Sequence, residues 1–198
     1  LQSAGDLLLN ALQAHTEAIE VYQALRQEAP DDLDPLTHLE GLYRDQEDWR
    51  SAIEMIREQA EMVEEAEHKV ERLQAIAELY GTALQSQDDQ IATLRQVLEV
   101  SALDEVTLTQ LKEIFRSRQE WEELAALFED ERAQYDDHDL NAVLLEIDLA
   151  HLHRQHTRQL FSAVELYAAV LSRRDTFDLQ QIEERLTEVI SGLTELIS

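Results

Sequence analysis

In 198 residues the chain has no cysteine, two prolines, four glycines and two lysines. Without cysteine it can form no disulfide, no thiolate zinc site and no cysteine nucleophile, although that leaves the compartment open. So few glycines and prolines leave little material for hairpin turns, bulges or loops, which points to an all-α chain. No apolar run reaches the roughly 18–20 residues of a membrane span, and no basic-then-apolar N-terminus resembles a signal peptide. The location stays unknown on these grounds, with a soluble, cytoplasmic setting without direct membrane insertion favoured. Because the chain begins at Leu1 and not at Met, it is expected to be a piece of a longer polypeptide.

Glycine-rich phosphate loops, nucleophile elbows and HExxH motifs are missing too. The acidic runs Glu64-Glu65 and Asp136-Asp137 lack the glycine that a calcium loop requires, and they suit solvated faces and loops. His151, His153 and His156 are the one cluster that resembles metal chemistry. On a helix, His153 and His156 share a side while His151 stands about 200° from His153, so at most a surface pair could share an ion. No catalytic residue, metal site or cofactor is expected, and the chain is expected not to be an enzyme.

What the chain has in excess is negative charge, a net −27 from 43 acidic and 16 basic side chains. Such a surface repels phosphate backbones and anionic lipid, so no nucleic acid is expected as a partner. The acidity is spread through most of the chain, as on a solvated surface, and not gathered in one tail. It fits either a saline milieu or a basic partner.

The sequence also repeats itself at a lag of 72 residues. Leu36, Leu39, Tyr43, Trp49, Ile53 and Ile56 recur in register as Leu108, Leu111, Phe115, Trp121, Ala125 and Phe128. Repetition at this scale marks a helical solenoid, in which each unit buries its apolar face only by stacking on its neighbours. Apolar residues at three- and four-residue spacing, broken by short polar clusters, predict helix pairs over roughly 2–14 with 16–29, 33–46 with 48–64, 67–85 with 89–100, 104–117 with 119–134, and 140–156 with 159–173. A last helix is predicted over 177–197. The second helices carry aligned residues on one face: Ala18, Tyr22 and Leu25; Gln90, Leu94 and Val97; Ala163, Tyr167 and Val170. Trp49 and Trp121 each follow an acidic residue at the start of a second helix. Their matched placement argues for packing between hairpins over ligand stacking.

These positions resemble the tetratricopeptide repeat, whose pattern runs W-x₂-L-G-x₂-Y, then A-x₃-F, then P. Leu36, Leu39 and Tyr43 fit its first helix, and Ala52 and Ile56 its second; Leu108, Leu111, Phe115, Leu124 and Phe128 do the same in the fourth pair. Gly5, Ala77 and Ala150 fit the small-residue position, and Pro30 the closing proline. Glu40 and Lys112 depart from the small-residue rule, so those two pairs are expected to splay wider. The resemblance implies a single domain over 1–198: a right-handed α-solenoid of about five hairpins, 2–29, 33–64, 67–100, 104–134 and 140–173, plus the terminal helix.

The resemblance also implies a function, a non-catalytic scaffold that binds a partner protein or peptide on the concave surface lined by first helices. That geometry places Thr37, Arg44, Gln74, Glu78, Thr109, Arg116, His151 and Arg154 on the binding face. Arg44, Arg116 and Arg154 stand in equivalent places, where they could pair with carboxylates of an extended partner segment. The competing reading pairs each with an acidic residue of a neighbouring hairpin. The Lys and Asn set of the carboxylate-clamping co-chaperone repeats is not visible here. The alternative function is a structural spacer or self-assembly module. It draws on the terminal helix, where Leu179, Ile182, Leu186, Val189, Leu193 and Leu196 form a seam, widened by Ile190 and Ile197, that could cap the last hairpin or self-associate.

Overall fold

A computed structural model of the chain describes residues 4–173, 185, 187 and 189–194, with side chains from 14 onward. Among the described residues every regular element is helical: α1 (Ala4–Glu28), α2 (Leu33–Asp45), α3 (Trp49–Met62), α4 (Ala66–Thr82), α5 (Gln87–Val100), α6 (Glu105–Arg118), α7 (Trp121–Arg132), α8 (Leu140–Leu152), a π-helical turn (His153–Thr157) and α9 (Leu160–Ser172). They group into two compact units, residues 1–101 and 102–198.

Part of the acidity is spent on helix starts. Asp32, Asp48, Asp104 and Asp139 stand at N-caps and accept from the backbone N–H of Asp34, Ser51, Thr107 and Asn141. Each satisfies an orphan donor and places negative charge at the positive end of the helix dipole. Helix ends solve a different problem. With glycine scarce, the left-handed residues that close α2 and α6 are Glu47 (φ 58) and Gln119 (φ 57). Glu47 N donates to Arg44 O and Asp48 N to Tyr43 O; at the equivalent positions Gln119 N donates to Arg116 O and Glu120 N to Phe115 O. This paired closure is the Schellman arrangement, used here without glycine.

In the first unit, α1 packs on α2, α2 on α3, α3 on α4 and α4 on α5. Helix α3 is shared between two cores. Its Met55 joins Leu36 and Leu39, with Ile19, Tyr22 and Tyr43 against them. Its Ile53 and Ile56 join Val70, Leu73, Ile76, Leu79 and Val97, and Trp49 packs on that cluster. The residues that recur at the lag of 72 are thus core residues, with Leu39 and Leu111 fully enclosed.

The first predicted pair is corrected. Residues 4–28 form one continuous helix through Gln13-Ala14-His15-Thr16, where a turn was expected between 14 and 16. That polar stretch contains neither glycine nor proline, so nothing in it ends a helix. Leu25, aligned with the buried Val97 and Val170, is 42% exposed.

In the second unit, α6 packs on α7, α7 on α8 and α8 on α9. Val143, Ile147, Ala150, Ala163, Tyr167 and Val170 form its core together with Val189, with Leu193 packed alongside. Of the predicted terminal helix, Val189 and Leu193 therefore lie against the last pair, and Ile190 is exposed. Leu179, Ile182, Leu186, Leu196 and Ile197 lie outside the described residues. The first helix of the last pair, predicted over 140–156, is regular only to Leu152; it widens into the π turn and stops at Arg158, again left-handed at φ 57.

Candidate partner-binding surfaces

In the first unit, Thr37 and Arg44 stand seven residues apart on α2 and so share a face. Thr37 is exposed and its hydroxyl donates to Leu33 O at 3.1 Å. Arg44 Nε donates to Glu40 Oε1 at 2.9 Å, and Glu40 Oε2 accepts from the fully buried Gln59 Nε2 at 3.1 Å. Arg44 is thus drawn to a carboxylate of its own helix. Glu40, a departure from the repeat pattern, works as a polar bridge between α2 and α3. On α4, Gln74 is half-buried and Glu78 exposed.

The second unit holds the counterpart of that bridge. Lys112, the residue equivalent to Glu40, reaches Glu131, the residue equivalent to Gln59, at 2.6 Å, and its ammonium also lies 5.3 Å from the centroid of the Phe128 ring. Thr109 and Arg116 are exposed on α6. His151 and Arg154 come together: with Gln155, Arg185 and Thr187 they line a polar cleft of about 450 Å³. The His151 ring meets Tyr167 edge-on, centroids 5.6 Å apart, and Arg185 pairs with Asp148.

The opposite side of α8 carries residues that sequence reasoning did not single out. Glu146 is 5% exposed and is held between Arg132 Nε, at 2.8 Å, and Arg173. Arg132 also pairs with Asp137, and Arg173 Nη1 donates to Asp137 O at 2.7 Å. Hydrogen bonds to Asp137 and then Glu146 raise the pKa of Arg132, and the Arg132 hydrogen bond lowers that of Asp137. The signal was a glutamate at a core position, amid Val143, Ile147 and Ala150. A carboxylate there needs cationic partners.

His153 and His156 do not form the surface pair that helical spacing suggested. His153 is 3% exposed, its Nδ1 is 3.0 Å from Thr157 Oγ1, and burial lowers its pKa while Glu129 opposes the shift. His156 instead stacks on Trp121, centroids 3.8 Å apart and rings 16° from parallel. The π turn separates the two rings, because it departs from the regular winding on which the pairing was based. Trp49 packs on the apolar cluster of its own unit and Trp121 on the turn that follows α8, so both tryptophans join neighbouring helix pairs.

Among the described residues, no helix is long and apolar enough to cross a membrane, and no three His, Asp or Glu side chains are grouped to hold a metal ion. No family model matches the chain, and no curated protein matches it. Among solved structures it is similar to the crystal structure of BtubC (BKLC) from P. vanneervenii, with 15% identity, 98% of this chain and 86% of that chain covered, and a TM-score of 0.46.

Proposed function

We propose that each unit is a short tetratricopeptide-like solenoid and that the chain is a non-catalytic scaffold, holding an extended segment of a partner protein against its first helices. The observation that carries this reading is a division of labour repeated at the lag of 72. The same positions pack (Leu36 and Leu39, Leu108 and Leu111), the same positions turn (Glu47, Gln119) and the same positions bridge (Glu40 to Gln59, Lys112 to Glu131). On those helices Thr37, Thr109 and Arg116 stay exposed, outside every packing task. A face preformed by repeated packing loses little entropy when a partner binds, and charge then governs partner choice and encounter rate.

Selection of a phage-displayed random peptide library on the chain tests the reading. Peptides with acidic residues are expected, and the triple variant Arg44→Glu, Arg116→Glu, Arg154→Glu should weaken the selected peptides at least about tenfold. Unchanged affinity removes the arginines from the binding face. Failure to enrich any peptide overturns the scaffold itself.

A further inference from the structure

Helix α1 is longer than the element it packs on. Its 25 residues run about 37 Å, whereas the 13 residues of α2, its main partner, run about 20 Å. The contacts that hold it lie on one face towards its C-terminal end: Ile19 and Tyr22 on the α2 core, Gln23 to the Tyr43 hydroxyl at 3.0 Å, and Arg26 to Glu58 on α3 at 2.6 Å. About 100° round the helix runs a second row, Leu7, Ala11, Ala14, Ala18, Val21 and Leu25, at alternating spacings of four and three. Of its described side chains, Val21 is 58% and Leu25 42% exposed, Ala14 is exposed and Ala18 half-buried.

The residues aligned with Leu25 show what covers such a position. Val97 is buried against Val70, Leu73 and Ile76 of α4, and Val170 against Val143, Ile147 and Ala150 of α8, in each case the first helix of the pair. The stretch expected to do this for Leu25 is 2–14. In the structure it continues α1 in line, so within one chain it cannot fold back over Val21 and Leu25. The row is also symmetric about position 16. Laid against a reversed copy of itself, Leu7 falls opposite Leu25, Ala11 opposite Val21, and Ala14 opposite Ala18, with small residues at the centre and large ones at the ends. A surface that complements itself under a two-fold rotation is what an isologous dimer requires.

We propose that α1 pairs antiparallel with α1 of a second copy of this chain, residues 4–14 of each copy taking the place of the first helix that the other lacks. The arrangement is an exchange of the expected hairpin between two chains. Charge permits it. The row carries no ionisable side chain, and of the 43 acidic residues only Asp6 falls within 1–16, so a chain of net charge −27 meets its copy through its least acidic segment. A third of the accessible girth of two such helices is roughly 1,100 Å² in total. That is the low end of specific interfaces, so a dissociation constant of about 1–100 µM is expected. The inference goes beyond the scaffold reading, since it concerns another helix and a second copy of the same chain.

Sedimentation equilibrium of the full chain between about 1 and 200 µM is expected to show a monomer–dimer equilibrium in that range. Val21→Glu with Leu25→Glu places charge on the row at two exposed positions and should weaken the dimer at least about tenfold, with helical circular dichroism unchanged. Ile190→Glu, at the exposed position of the terminal segment, and the triple arginine reversal that tests the scaffold should both leave association as it is. The register is read by cross-linking, since the chain has no cysteine of its own. Mixed Ala14→Cys and Ala18→Cys chains should oxidise to each other faster than either oxidises to itself, because only the mixed pair stands directly opposite across the axis. A monomer at 200 µM, undiminished association in the folded double glutamate variant, or like-with-like cross-links that form as fast as mixed ones each overturns the proposal.

Discussion

Lys112 reaches across from α6 to Glu131 on α7 with 2.6 Å between ammonium and carboxylate, and both side chains are largely buried. Removing one partner leaves the other charge enclosed without compensation, which costs more than the pair contributes. Lys112→Met and Glu131→Leu are each expected to destabilise the second unit by about 2–4 kcal/mol. The double variant should be less destabilised than the sum, by 1 kcal/mol or more in a urea-denaturation cycle. Additive losses would show that the two groups do not interact in solution.

The equivalent positions in the first unit offer a transplant. Glu40→Lys alone places a second cation beside Arg44 and removes the acceptor of Gln59, at a cost of about 2 kcal/mol or more. Adding Gln59→Glu rebuilds the ion pair of the second unit and should recover most of that loss. Thermal denaturation of the single and double variants measures the recovery.

Two glycines should respond in opposite directions to alanine. A Cβ at Gly41 meets nothing within 4 Å, whereas one at Gly192 falls 3.0–3.1 Å from ring atoms of Tyr167. Gly41→Ala, at an exposed place inside α2, is expected to stabilise by about 0.5–1 kcal/mol through helix propensity. Gly192→Ala must displace a fully buried ring and should cost about 1–3 kcal/mol. Calorimetric melting of both variants decides the signs.

Stacking of His156 on Trp121 gives the protein an internal reporter. In a Trp49→Phe background Trp121 is the one tryptophan left, and the imidazole against its face keeps water from the indole. His156→Ala should move its emission maximum to the red as water takes the place of the ring, with helical circular dichroism unchanged. An unmoved maximum would mean that the rings are not stacked in solution.

His153 ties stability to pH. Its folded pKa lies below the ordinary 6.5, chiefly through burial. As pH falls below that value the unfolded chain takes up a proton that the folded chain still resists. Stability held above pH 6.5 is therefore lost as the pH falls from there through the folded pKa, with a slope of at most about 1.4 kcal/mol per pH unit for one proton. Wild type should lose more stability over that window than His153→Gln, which removes the titration and leaves the carboxylates unchanged. Parallel losses would mean that His153 titrates as in the unfolded chain.

The sequence shows the elements well wherever an apolar stripe meets a chemical stop. Asp48 before Trp49 and Asp104 before Glu105 cap where a start was expected, and the helices after residue 30 fall within about three residues of their predicted bounds, except α8, which ends at Leu152 where 156 was expected. Two features were hidden. The polar Gln13–Thr16 stretch looks like a joint but contains only residues that a helix tolerates, and α1 runs through it. The π turn at His153–Thr157 follows from no residue preference, since its closing residue is an arginine in a conformation more common for glycine. The candidate surface divides in the same way. Exposure of Thr37, Glu78, Thr109 and Arg116 follows from helical periodicity. The enclosure of His153 does not, because it depends on the π turn that follows α8.

The left-handed closures at Glu47 and Gln119 show that what recurs between the two halves is a backbone torsion, carried by different side chains with the same pair of carbonyl bonds behind it. Descendants of one ancestral hairpin could therefore drift in letters while keeping their bend. Kinship of that kind is better sought by comparing dihedral angles than by aligning residues.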